Sequence, residues 1–60
     1  MKVEITVEVI KETELAVLVT DGDEEVWLPK SHIETDEDFI SGVAIEIAIP
    51  EWLANEKGLI

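Results

Sequence analysis

Cysteine, arginine and tyrosine are absent from this chain of 60 residues, and lysine occurs four times. Without cysteine there is no disulfide, no thiolate ligand for zinc or an iron–sulfur cluster, and no thiol nucleophile. Chains this short bury only about 60% of their unfolded surface, so they commonly need such aids. The sequence therefore predicts one domain, residues 1–60, stabilised by a well-packed core or by self-association.

Long apolar runs are also absent. No run approaches the roughly 18 residues that a membrane-spanning helix needs, and the first residues alternate in polarity, so they contain no signal-peptide core. Hydrophobic residues nevertheless make up 47% of the chain, which is too many for a disordered acidic tail. We expect a folded protein without membrane contact, located in the cytoplasm of a bacterial or host cell.

Positive charge is scarce. Fifteen acidic residues against four lysines give a net charge of −11. Such a charge repels phosphate backbones and anionic lipid headgroups. The composition therefore disfavours direct binding of nucleic acid and favours a basic protein partner, or a protein that itself binds nucleic acid.

Strict alternation of apolar and polar residues marks a first strand, which is followed by a polar turn at 11–14. The apolar positions of this strand are Val3, Ile5, Val7 and Val9. Further strands are predicted at 15–20 and 25–28. Between them stands Asp21-Gly22, a residue pair that strongly favours a hairpin turn. Pro29 cannot donate to a ladder, so the third strand should end there.

The second half of the chain predicts an irregular segment, a long strand and a short helix. Residues 30–42 lack clear periodicity, and we expect Phe39 and Ile40 to close one end of the sheet. Apolar residues then alternate again, at Val43, Ile45, Ile47 and Ile49. Pro50 is suited to begin a helix, and Lys57-Gly58 to end it. The prediction is a mainly β protein: four or five antiparallel strands, bent into a small sheet or an SH3-like or OB-like barrel, with a short carboxy-terminal helix.

The outer face of this sheet is not cleanly polar. It carries Ile10, Leu18 and Trp27, with three alanines beside them. Two interpretations are open: the carboxy-terminal helix covers this face through Trp52 and Leu53, or another subunit covers it. A homo-oligomer built on Leu18 and Trp27 is therefore one open interpretation.

Two clusters of acidic residues are candidate sites. The first contains Asp21, Asp23, Glu24 and Glu25, and the second contains Asp36, Glu37 and Asp38. A calcium loop is one interpretation of the first cluster, but its glycine stands second instead of sixth as in an EF-hand, so we interpret it as a solvated hairpin turn. If the two clusters converge, they form one negative patch that attracts basic proteins. Otherwise they serve only to keep the protein in solution.

The single histidine and the large aromatic residues offer little catalytic chemistry. Ser31 and His32 are neighbours in an extended segment and so point to opposite faces, which predicts a surface histidine and no enzyme. We expect Trp27 and Trp52 to pack against each other, strand against helix. In the alternative interpretation, Trp27 and Phe39 stack on the bases of a single-stranded nucleic acid.

Two stretches resemble small acidic proteins of bacteriophages and mobile elements that have no assigned activity. They are 12–31, which ends in Trp27-Leu28-Pro29-Lys30-Ser31, and 49–59, which contains Pro50-Glu51-Trp52-Leu53. The resemblance implies an accessory protein, made during infection or encoded near replication genes. A designed mini-protein is an alternative, which the irregular segment 30–42 disfavours because designs use idealised backbones.

The main hypothesis is a non-enzymatic, acidic protein-interaction module, either an accessory protein of the phage type or a nucleic-acid mimic that inhibits a basic partner. Two alternatives remain open: a single-stranded nucleic-acid binder that uses aromatic stacking, and a structural subunit of a homo-oligomer. No catalytic residue, cofactor or metal is expected. The candidate interaction residues are Trp27, Leu18, Trp52, Asp21, Asp23, Glu24, Glu25, Asp36, Glu37 and Asp38.

Overall fold

A computed structural model describes residues 1–60 and contains four strands and two short helices. The strands are β1 (Lys2–Glu12), β2 (Ala16–Thr20), β3 (Glu25–Pro29) and β4 (Ala44–Pro50). A single 3-10 turn covers Lys30–His32, and the helix α1 covers Glu51–Glu56. The strands are antiparallel and form one sheet in the order β3-β2-β1-β4. This confirms the predicted fold class.

The two-residue alternation of the sequence becomes the two faces of the sheet. Every second residue of the strands points to the inner face, where β-branched side chains pack closely. No polar or charged residue is buried in this core. The buried residues are Val7, Val9, Val17, Val19, Leu28, Ile45, Ile47, Ile49, Leu53 and Ala54.

β1 is longer than the alternation predicts, because it contains a bulge. Val9 pairs with Val19, but the next pair is Lys11 with Leu18, so Ile10 is the extra residue. The predicted polar turn at 11–14 is therefore half wrong, since its first two residues belong to β1. A bulge leaves one residue unpaired and bends the strand, and here it sets Lys11 opposite Leu18.

The turn between β1 and β2 is short and tightly bonded. The Thr13 amide donates to the Ala16 carbonyl over 2.8 Å, and the Thr13 hydroxyl also bonds to Ala16. The strand predicted at 15–20 begins one residue later, because Leu15 precedes β2 and belongs to the turn. Leu15 is 78% exposed.

The sheet is not closed into a barrel, because β3 and β4 do not pair with each other. The chain leaves β3 through the 3-10 turn and reaches the free edge of β4 at Glu34. There the Glu34 amide donates to the Ala48 carbonyl, and the Ala48 amide donates to the Glu34 carbonyl, each over 2.9 Å. The segment 30–35 thus spans the opening between the two edge strands.

The carboxy-terminal helix packs against the inner face of the sheet. Leu53 and Ala54 are buried in the core, whereas Trp52 is 56% exposed. Of the two interpretations, coverage of the outer face by α1 is therefore wrong, and that face remains open. Pro50 precedes the first helical residue, and Gly58 follows the last turn at a φ of +74°, so the predicted ends of the helix are confirmed.

Phe39 and Ile40 differ in their environment. Phe39 is half-buried and packs against the core, as expected, but Ile40 is 54% exposed and does not help to close the sheet. A hydroxyl bond secures the neighbouring turn, since Ser41 Oγ donates to the Ile10 carbonyl over 2.6 Å. None of the helices is both long enough and apolar enough to cross a membrane.

Candidate functional site

Three side chains form a row across the outer face of the sheet, one from each of β1, β2 and β3. They are Lys11, Leu18 and Trp27, which stand opposite one another in the strand register. Trp27 is 40% exposed and Leu18 is half-buried beside it. Lys11 Nζ lies 5.8 Å from the centroid of the Trp27 ring system, which is a cation–π distance. We call this row the tryptophan face.

Apolar surface continues from the tryptophan face toward the turn between β1 and β2. The next pair on the same side of the sheet is Ala16 with Pro29, both half-buried. Beyond that pair, Leu15 projects from the turn. In the other direction the surface becomes polar at Thr20 and Glu25. The apolar patch thus ends at the pair Leu18 and Trp27, in the middle of β2 and β3.

Lysine charges are distributed unequally around this patch. Lys30 forms an ion pair with Glu12, and Lys2 forms one with Glu34. Lys11 has no carboxylate oxygen within 4 Å, because these two pairs are the only ones in the structure. Lys11 therefore presents an unpaired positive charge next to an exposed aromatic ring.

The two tryptophans do not form the predicted pair. Trp52 stacks edge-to-face with His32, with ring centroids 5.4 Å apart and an interplanar angle of 82°. His32 itself is exposed, which confirms the predicted surface histidine. Phe39 lies outside the tryptophan face, and its ring is approached by Lys30 Nζ at 5.7 Å from the centroid. Of the two aromatic residues predicted to stack on bases, Trp27 alone has the exposure that stacking needs.

The first acidic cluster is the hairpin turn between β2 and β3, as predicted. Asp21 Oδ1 accepts hydrogen bonds from the Asp23 amide over 2.9 Å and from the Glu24 amide over 3.2 Å. Gly22 adopts a φ of +108°, which other residues rarely do. The two amide bonds to the carboxylate lower the pKa of Asp21 below its ordinary value.

Asp36 and Glu37 of the second acidic cluster line a groove of about 420 Å³ together with acids from the strands and from the segment before the cluster. The carboxylates around this groove belong to Glu4, Glu34, Asp36, Glu37 and Glu46. Asp21 lies instead at a separate, smaller groove beside Glu8 and Ala44. The two predicted clusters thus line different grooves. No three histidine or acidic side chains are arranged so that they could hold a metal ion.

A small, partly open antiparallel sheet with an exposed face on its second and third strands resembles the OB fold, whose corresponding face binds oligonucleotides and oligosaccharides. Residues 4–46, which include most of β1, all of β2 and β3 and the whole tryptophan face, match the S1 domain. This match covers well over half of the chain, so the protein belongs to the S1 domain family. No curated protein and no solved structure is significantly similar to the chain. Trp52 and α1 lie outside the matched residues.

Membership of this family contradicts two predictions from the sequence. S1 domains are nucleic-acid-binding modules, so the main hypothesis of an acidic module that binds a basic protein is wrong. The expectation that direct nucleic-acid binding is disfavoured is wrong as well. The physical reason is that net charge sums the whole surface, whereas a ligand meets one face of it. Here several acids line the groove around Glu46, and Lys11 stands unpaired at Trp27.

Sequence reasoning missed Lys11 as a site residue, because it placed Lys11 in a turn. Nothing in the alternation marks the bulge that returns Lys11 to the strand. A weaker signal was available, since Lys11 and Lys30 are the two lysines nearest in sequence to the strands that carry Leu18 and Trp27.

Proposed function

We propose that this protein binds single-stranded nucleic acid on the tryptophan face. The observation that carries the proposal is the exposed Trp27 ring beside the unpaired Lys11, on the outer face of the second and third strands. OB-type modules bind oligonucleotides on this face and on the neighbouring loop between the first two strands. Membership of the S1 family supports the same assignment.

Each part of the tryptophan face has a role that its chemistry suits. The indole offers a flat surface on which a base can stack, worth about 1–3 kcal/mol per base. Lys11 supplies a cation for one phosphate group. Leu18, Ala16 and Pro29 form an apolar floor for the sugar and the edge of a second base. A duplex cannot bind in this way, because its bases are stacked on each other and have no free face for the indole.

The net negative charge of the protein weakens its binding to nucleic acid, so base stacking supplies most of the affinity. Each phosphate contact to a single strand contributes a slope of about −0.7 to the logarithmic salt dependence of affinity. The single lysine at the site, Lys11, therefore gives a shallow slope, and repulsion from the charge of −11 reduces it further. We infer that the protein binds a few nucleotides of a single strand in the cytoplasm and does not act as an enzyme on them.

Substitution of Trp27 by alanine tests the proposal. Loss of one stacked base lowers affinity about 5- to 150-fold, which corresponds to the energy of one stack. The measurement is fluorescence anisotropy of a labelled single-stranded oligonucleotide, at low and at physiological salt. Trp52→Ala is the matched control, because Trp52 is equally an exposed tryptophan but lies on α1.

The control variant is expected to bind like the wild type. Two results would contradict the proposal: no detectable binding by the wild-type protein at either salt concentration, or equal affinity of the Trp27→Ala and wild-type proteins.

A further inference from the structure

The surface on which a base would stack already has an occupant. Lys11 Nζ lies over the Trp27 ring at 5.8 Å from the centroid, where the negative face of the indole attracts a cation. A base and an ammonium group cannot occupy the same place on the ring. Lys11 must therefore leave that place before a nucleotide can stack on it.

Lys11 is free to leave, because no other group holds it. It is exposed, and no carboxylate oxygen lies within 4 Å of its ammonium group. Its sequence neighbour Glu12 is paired with Lys30. The indole is the only group in the structure that is seen to hold the Lys11 charge.

We infer that Lys11 is a displaceable cover on Trp27 that selects phosphate-bearing nucleotides over neutral bases. In the free protein the ammonium group covers the ring. When a nucleotide stacks, the ammonium moves to its phosphate, so the lost cation–π contact is replaced by an ion pair. A neutral nucleoside displaces the same lysine but offers no phosphate in return. This inference rests on the proposed function and adds to it a role for Lys11 in discrimination.

The test compares adenosine with adenosine monophosphate, two probes that differ only in the phosphate. All proteins carry Trp52→Phe, so that the single indole N–H resonance in the NMR spectrum belongs to Trp27. The test variant is Lys11→Gln, which keeps a long side chain and removes the charge. Lys57→Gln is the matched control, because it makes the same change of net charge at a lysine that follows α1 and forms no ion pair.

Opposite changes are expected for the two probes. Lys11→Gln should bind adenosine about two- to fivefold more tightly than the parent, because the cation–π contact of an exposed lysine no longer competes. The same variant should bind adenosine monophosphate no better than adenosine, whereas the parent prefers the monophosphate. Lys57→Gln should retain that preference.

A ligand-free measurement accompanies the titrations. In the free parent protein, the ring current of Trp27 should shift the ε-methylene protons of Lys11 upfield, and Trp27→Leu should abolish this shift. Absence of the shift would overturn the inference, as would unchanged adenosine affinity in Lys11→Gln. Failure of the parent to bind either probe or a single-stranded oligonucleotide would instead contradict the proposed function, and the inference would fall with it.

Discussion

Asp21 is the residue whose environment departs most clearly from that of an exposed carboxylate. Its Oδ1 atom accepts the Asp23 and Glu24 amides and so closes the hairpin turn. These bonds favour the charged form and hold the pKa of Asp21 below the ordinary 3.8. Because the folded pKa is lowered, the carboxylate stabilises the fold fully above pH 3.8, and this contribution is lost as the pH falls through the folded value.

We therefore predict that an NMR titration of Asp21 gives a midpoint below that of the same aspartate in an unfolded peptide of residues 19–26. The pH dependence of the unfolding free energy should flatten in Asp21→Asn below pH 4, because asparagine keeps the acceptor oxygen and does not titrate. Identical pH profiles for the variant and the wild type would show that the turn does not depend on the charge.

At the scale of single residues, the sequence predicts the face of the sheet on which a side chain lies better than it predicts which side chains are in contact. Leu18 and Trp27 lie on the outer face as expected, since their positions follow from alternation within one strand. The pairing of Trp27 with Trp52 was wrong, because it depended on where α1 docks. Only the tertiary structure shows that α1 turns Leu53 inward and leaves Trp52 beside His32.

At the scale of elements, Gly58 shows how a helix end depends on one backbone conformation. The Gly58 and Leu59 amides donate to the Asn55 and Ala54 carbonyls over 3.2 and 2.8 Å. These bonds require the positive φ of +74° at Gly58, which a side chain disfavours. A Cβ there would meet only the flexible Glu24 carboxylate at 3.4 Å, so the cost of a substitution comes from the backbone.

Gly58→Ala should lower the free energy of unfolding by about 1 kcal/mol, as measured by urea denaturation. Gly58→Asn is the control, because asparagine tolerates the left-handed region better than alanine. We expect the asparagine variant to lie between alanine and the wild type. Equal stability of all three proteins would mean that the helix end unravels at little cost.

Most elements could be predicted from the sequence, and the exceptions share a cause. β2, β3, β4 and α1 were predicted to within one or two residues, because alternation, an Asp-Gly pair and Pro50 are local signals. The path of residues 30–42 could not be predicted. Its conformation depends on the bonds between Glu34 and Ala48, and on the Thr35 hydroxyl bond to the Glu46 carbonyl, which join segments far apart in the chain.

At the scale of the whole molecule, fifteen acids on so small a surface repel one another. Ion pairs relieve this repulsion only at Lys2 and Lys30. Added salt screens the remaining charges and should stabilise the folded state. Relief on the order of 1 kcal/mol would raise the melting temperature by about 4–8 °C for a domain of this size.

A series of thermal unfolding curves between low and moderate sodium chloride measures this effect. The same series near pH 4.1, the isoelectric point of the sequence, is the control, because the net charge vanishes there. Salt should raise the melting temperature at pH 7 and have little effect near pH 4.1. Equal effects at both pH values would point to a general salt effect on hydration.

The prediction from net charge that nucleic-acid binding is disfavoured fails at this scale. Net charge is a sum over the molecule, and it carries no information on how charges are placed around one ring. The placement depends on strand register, which brings Lys11 to Trp27, and on ion pairing, which occupies Lys30 with Glu12. Neither can be obtained by counting residues.

The bulge at Ile10 has a consequence for how this protein tolerates insertions and deletions. A regular β1 would place Ile10 opposite Leu18 and turn Lys11 toward the interior, so the single extra residue resets the inside–outside phase of the strand. Deletion of Ile10 would keep Lys11 facing Trp27, whereas insertion of one further residue after it would place the new residue opposite Leu18 and turn Lys11 toward the interior. Whether a lysine reaches the indole is thus set by the length of the chain at this one point.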